Sequence, residues 1–318
     1  MGKLVINEWV KIFRRPGTFV MIGIVVLFIL AFAGINKYEE SKSAQINNPN
    51  WKQELETQIA SDKQALSEMG KTNSNLKMFY EREIAIKEYQ LEHDVAPQTE
   101  SHVWSFVSDA QAAISFAGLF TIVIAAGIVA SEFSWGTVKL LLIRPLSRSK
   151  ILLSKYITVG LFGLLLLSMI YILSTLVGLL LFGLPSSEVP HLAYVNGEVV
   201  ERNIAFHLIG QYFLGSIDIL MIGTMAFMIS AVFRNSSLAI GISLFLMFMG
   251  GTATMLLASK FEWTKYILFA NTNLTVYFDG VPPIEGMTLT FSIFILIIYF
   301  VVFNLLAFSV FSKRDVAA

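Results

Sequence analysis

Long apolar runs alternate with charged segments along this chain, and the run lengths set the first expectation. Six runs approach or exceed the roughly 20 mostly apolar residues that a bilayer requires. They are Phe19–Ile35, Ala110–Ala130, Ile151–Leu184, Ala205–Phe233, Leu238–Ala258 and Met287–Phe311. Lipid offers no partner to backbone N–H and C=O groups, so each run reads as a helix. The expected fold is an all-α polytopic membrane protein with six transmembrane helices. Residues 1–17 read as a cytoplasmic interfacial elbow helix, 18–35 as the first span and 36–107 as an extracellular helical insert. Residues 108–318 hold the other five spans, with a cytoplasmic loop at 131–150 and small outer loops at 185–204 and 259–286.

Lys and Arg give the orientation, because short cytoplasmic loops carry the excess of positive charge. Lys3, Lys11, Arg14 and Arg15 precede the first span. Lys139, Arg144, Arg148, Lys150 and Lys155 lie around the loop between spans two and three, and Arg148, Lys150 and Lys155 are expected to meet inner-leaflet phosphates. Arg234, Lys313 and Arg314 fall on the same side if the spans number six. The opposite short loops hold only Arg202, Lys260 and Lys265, so both termini are expected to be cytoplasmic. Ala31-Phe32-Ala33 resembles a signal-peptide cleavage site, but the apolar run is longer than such peptides use, and an uncleaved span is expected.

The segments between spans have their own patterns. In residues 2–15, Val5, Trp9, Ile12 and Phe13 share one helical face, and Lys3, Asn7, Lys11 and Arg14 the other. Pro16-Gly17 breaks this helix, which suits the inner membrane surface. In the insert, Trp51, Leu55, Ile59, Leu66 and Met69 form one loose stripe, and Leu76, Phe79, Tyr80, Ile84 and Tyr89 a second, ended by Pro97. The pattern predicts an α-hairpin serving as a solvated spacer, a lid or a docking surface. Asn196-Gly197 between Ala193-Tyr194-Val195 and Glu198-Val199-Val200 predicts a two-residue β-hairpin covering the mouth of the bundle.

Composition and motifs narrow the chemistry. Hydrophobic residues make up 55% and charged residues 14% of the 318, against about 25% charged in soluble domains. The formal net charge of zero gives no global field for nucleic acid. With no cysteine, disulfides, thiol nucleophiles and Cys-ligated metals are excluded. Gly70-Lys71-Thr72 lacks the glycine a phosphate loop needs five residues earlier, where Ala65 stands, so no nucleotide site is expected. His93, His102, His191 and His207 show no metal-ligand spacing, and no metal site is expected. Asp218, near the middle of span four, should face protein or water, either as an inter-helix hydrogen-bond partner or on a substrate path. Gln111 and Asn304 are candidates for inter-helix hydrogen bonds, and Ala117-Gly118, Ala125-Ala126-Gly127, Gly241 and Gly250-Gly251 for close helix approach.

The most specific segment is the loop from Ser131 to Lys150. It offers an acid at Glu132, a helix start at Gly136-Thr137, a short apolar face of Val138, Leu141 and Leu142, and a stop at Arg144-Pro145 before Arg148. With the six spans, the N-terminal helix and Phe311-Ser312-Lys313-Arg314-Asp315, this loop resembles type-2 ABC exporter permeases of the bacitracin- and lantibiotic-resistance branch. The insert after span one is longer than in compact members of that branch, so their substrates are not carried over. The resemblance implies a bacterial plasma membrane and a permease subunit exporting a peptide, drug or other amphiphile. A partner ABC ATPase would bind ATP and Mg, leaving this chain without cofactor or catalytic residues, and a second permease copy would complete the complex. Glu132, Gly136, Thr137, Arg144, Pro145 and Arg148 would couple it to the ATPase. Two other classes stay open. A secondary transporter or channel would need several membrane-embedded ionisable groups, and a membrane-anchored sensor or scaffold would act through the insert.

Overall fold

A computed structural model describes residues 1–43, 50–68, 74–97, 101–134, 146–185, 190–195 and 197–313. Six of its helices are long and apolar enough to cross a membrane. The chain runs α1 (Gly2–Phe13), α2 (Pro16–Ser43), α3 (Trp51–Glu68), α4 (Ser74–Glu92), α5 (Val103–Asp109), α6 (Ile114–Ser134) and α7 (Arg148–Leu181). Then follow β1 (Pro190–Val195), β2 (Glu198–Asn203), α8 (Ile204–Phe233), α9 (Ser236–Ala258), α10 (Leu268–Asn271), α11 (Val276–Asp279) and α12 (Leu289–Lys313). One-turn 3-10 segments join α5 to α6 at Ala110–Ala113 and lead into α10 at Glu262–Tyr266.

Two spans begin or end beyond their apolar runs. α2 continues through Lys37, Glu39 and Glu40 to Ser43, because a helix already started gains a backbone hydrogen bond with each added residue. The second apolar helix starts at Val103, since His102 caps it by accepting from the Trp104 and Ser105 amides while Ser105 caps in return. Asn203 and Asn235 cap α8 and α9 in the same way. α8 and α9 are joined by two residues, Arg234 and Asn235, and Arg234 adopts a left-handed φ of 54°.

α6 is the central helix and packs most extensively on α8. Its interior face is small: Ala117, Ala125, Ala126 and Ala130 are fully buried. Backbones can therefore approach closely, which drives helix association where lipid tails are as apolar as the helices. Thr121 of α6 sits in a notch made by Gly163 of α7 and Gly223 of α8. Ser230 locks the pair further, donating to the Ala126 carbonyl at 2.6 Å and accepting from the Ala130 amide at 3.2 Å. α2, α9 and α12 lie at the periphery, with apolar side chains such as Leu27, Phe245 and Phe294 facing outward.

In the insert, α3 and α4 pack on each other around Leu55, Ile59 and Ile84. The ion pairs Lys87–Asp62 at 2.6 Å and Lys63–Glu88 at 2.7 Å cross between them. Leu76 and Phe79 of the second apolar stripe are exposed, and α4 stops at Glu92, before Pro97. The helix ends there because Asp94 turns left-handed, at φ 57°. β1 and β2 pair antiparallel with Val195 opposite Glu198, and Gly197 adopts a left-handed φ of 95°, which glycine tolerates; Asn196 lies outside the described residues.

Candidate functional site

The end of the bundle that gathers α1, the close of α6 and the start of α7 holds a knot of four charges, with Glu8 and Lys155 buried and Lys11 at its exposed edge. α1 reaches it through an elbow in which the Thr18 hydroxyl donates to the Ile12 carbonyl at 2.6 Å. One helical face then carries Glu8 and Lys11 inward, 2.8 Å apart. Lys155 lies two turns into α7 and is 1% exposed. Its ammonium donates to Glu8 at 2.8 Å and to Glu132, in the last turn of α6, at 3.0 Å. Lys11 donates to Glu132 at 3.2 Å, closing the ring. Two carboxylates and two ammonium groups balance, so each buried charge has opposite partners, the condition for keeping ions out of water. Partial burial opposes the Lys11 charge, but the Glu8 and Glu132 carboxylates outweigh it and hold the ammonium above its ordinary range.

This geometry corrects the sequence reading at two positions. Lys155 does not stand among lipid phosphates; it is enclosed by protein, because two carboxylates satisfy it there. Glu8, absent from the expected faces of the N-terminal helix, is its most deeply inserted charged residue. A signal was present: Glu8 is the single acid in a basic segment, and Lys155 lies inside an apolar run. An ionisable residue in a span implies a partner.

The other sequence candidates separate. Glu132 is part of the knot. The Arg148 guanidinium donates to the Ser312 carbonyl at 3.2 Å and ties the start of α7 to the end of α12. Phe133 and Phe311 meet edge-on nearby, and the Arg234 guanidinium lies 4.3 Å from the Phe133 ring centre. Gly136, Thr137, Arg144 and Pro145 lie outside the described residues. Asp218 is far from this end and pairs with the Thr272 side chain, so it joins α8 to the segment before α12. Asn304 bonds within its own helix to the Phe300 carbonyl at 2.8 Å and also to Tyr156 of α7. Tyr156 in turn meets Thr224 of α8 at 2.7 Å, at the edge of an apolar cavity of about 310 Å³ between α7 and α8.

At the opposite end, polar groups from three elements converge on Asp279, the last residue of α11. His191 of β1 lies 2.9 Å from one carboxylate oxygen and His207 of α8 lies 2.8 Å from the other. The two imidazoles stack with centres 3.7 Å apart. The Gln211 amide donates to the same carboxylate, and the Arg82 guanidinium of α4 donates to the Asp279 carbonyl. Partial burial opposes the Asp279 anion, but the two imidazoles outweigh it and hold the carboxyl well below the usual range. These groups border a cavity of about 500 Å³ that His102, Asp109 and Gln111 also line. Sequence spacing gives no reason to group these residues. His191, His207 and Asp279 are 16 and 72 positions apart, and only the hairpin and the packing of α11 on it bring them together.

The chain matches the family described as "Protein of unknown function (DUF2705)" over residues 72–317. It is 52% identical over 319 positions to "Uncharacterized protein YhcI" of Bacillus subtilis (strain 168), covering 100% of both chains. It is 40% identical over 199 positions to "Uncharacterized membrane protein YdbK" of the same organism, covering 62% of this chain and 76% of the relative. Neither the matched family nor either relative is described as an ABC permease, which overturns the resemblance drawn from the 131–150 loop. That resemblance leaned on a Gly-Thr start and an Arg-Pro stop, and such punctuation suits any short amphipathic helix beside a membrane.

Proposed function

This chain belongs to the DUF2705 family, and on its architecture alone we propose that it is the membrane-spanning subunit of an exporter powered by a separate ATPase. The observation carrying this reading is the charge knot. It joins three pieces of chain: the N-terminal helix, the close of α6 and the start of α7. The loop at 131–150 leaves from two of them, so a push on that loop or on α1 is transmitted directly to two spans. Positive residues concentrate at this end, which supports a cytoplasmic position for both termini and the loop in a bacterial plasma membrane. α1 then lies along the inner leaflet with its inward face docked on α7. The α3–α4 hairpin and the β-hairpin stand on the outer side.

The transported molecule is an amphiphile in this reading. The cavity edged by Tyr156 and Thr224 is apolar with hydroxyl groups at its rim, which suits an apolar body with a polar end. The ATPase would sit on the loop and α1, and it alone would carry ATP and Mg. The test is purification of the tagged chain from native membranes, followed by reconstitution. An ATP-hydrolysing subunit should accompany it, and efflux of amphiphilic peptides from vesicles should require ATP. Recovery of the chain without such a subunit, with efflux driven by an ion gradient instead, sinks the proposal.

A further inference from the structure

We propose that His191, His207 and Asp279 form a binding site for a zinc-like divalent cation, which staples the β-hairpin to α8 and to the segment before α12. The candidate ligand atoms of all three residues lie within 4.8 Å of one another. Both imidazoles present Nε2 to the carboxylate, at 2.9 and 2.8 Å. A tetrahedral zinc with bonds of about 2.0–2.2 Å sets its ligand atoms roughly 3.3 Å apart, so each nitrogen–oxygen separation opens by a few tenths of an ångström to admit the ion. The two imidazoles, stacked at 15° to one another, splay on binding so that both nitrogen lone pairs converge on the ion.

The donor set selects the class of ion. Two imidazoles and one carboxylate suit zinc and its first-row neighbours, whereas calcium and magnesium favour all-oxygen shells. One carboxylate leaves a net positive ion, and Asp109 on the same cavity wall supplies a further acid. Three protein ligands leave the fourth position to water from the cavity of about 500 Å³. The shell behind the ligands is built as well: Gln211 donates to the Asp279 carboxylate and Arg82 to its carbonyl, so the acid is aimed from behind. Arg82 belongs to α4, so the ion also fixes where the helical insert rests. The site is independent of the export reading, since it needs no transport to bind.

The test uses the full chain in detergent, carrying a tag without histidines, titrated with Zn²⁺ and separately with Mg²⁺. Calorimetry should show one saturable Zn²⁺ per chain and none for Mg²⁺. His191→Gln and Asp279→Asn should each weaken Zn²⁺ by at least about tenfold, since even supporting residues of such sites cost 10–100-fold. His93→Gln, just past the end of α4 and outside the trio, should bind as the parent does. Co²⁺ substitution guards against misfolding: the parent should show visible absorption of a nitrogen- and oxygen-ligated ion, lost in the folded His191→Gln variant. Absence of saturable binding in the parent, or equal binding by parent and His191→Gln, overturns the site.

Discussion

The Lys155 ammonium lies 2.8 Å from a Glu8 carboxylate oxygen, across 147 positions of sequence and inside the protein. Removing one member of a buried pair leaves an uncompensated charge, which typically costs about 3–5 kcal/mol. Lys155→Met should therefore destabilise the chain by about that amount, measured by unfolding in detergent. Adding Glu8→Gln to it should recover much of the loss, because the remaining Lys11–Glu132 pair is balanced. A single variant as stable as the parent would falsify the paired, enclosed arrangement.

The glycine notch around Thr121 makes a sharper test of packing. A Cβ on Gly223 would stand 2.9 Å from the Thr121 methyl carbon. Gly223→Ala should lower stability by about 1–3 kcal/mol through overpacking. Thr121→Ser removes that methyl and should restore the double variant. Gly163→Ala behaves differently, because its Cβ would meet Ile219 at 2.9 Å and the Thr121 oxygen at 3.1 Å. Thr121→Ser leaves both of those atoms, so it should not rescue. Equal rescue of both alanines counts against the notch.

Much of this fold is written locally. Runs such as Ala205–Phe233 exceed the bilayer length, and Gly197 has the backbone freedom its turn requires. Helix starts were less visible: His102 caps α5 through its ring nitrogen, a role that propensity does not assign to histidine. The sites were least legible. Glu132 could be singled out because it stands at the border of a span. Its partners Glu8 and Lys155 come from helices whose contact no periodicity encodes. Asp279 looks like an ordinary loop acid until β1 and α8 deliver two imidazoles to it.

Asp279 should also set the acid limit of its own end of the bundle. Its carboxyl is held below the usual range in the folded chain, so ionisation there stabilises the fold. The contribution is present above the ordinary Asp value of about 3.9 and is lost as the pH falls through the folded value. Asp279→Asn removes it. Melting temperature followed from pH 7 downward should therefore fall more steeply for the parent than for the variant below about pH 4. Parallel acid limbs would show that the imidazoles do not hold the carboxylate.

Glu132→Gln separates a transmitting role for the knot from a merely cohesive one. The amide keeps the size of the side chain but removes its charge, so α6 loses its ionic hold on α1 and α7. In the proposed exporter, ATP hydrolysis by the partner continues while less of it reaches the spans. Transport per ATP hydrolysed should fall at least about fivefold, the lower end of ordinary coupling energies. Co-purification of the ATPase should persist, because its docking surface is not altered. Glu8→Gln, which weakens the same knot from α1, should produce the same loss of transport per ATP. If both variants lose stability and transport together but keep the parent's transport per ATP, the knot only holds the helices in place.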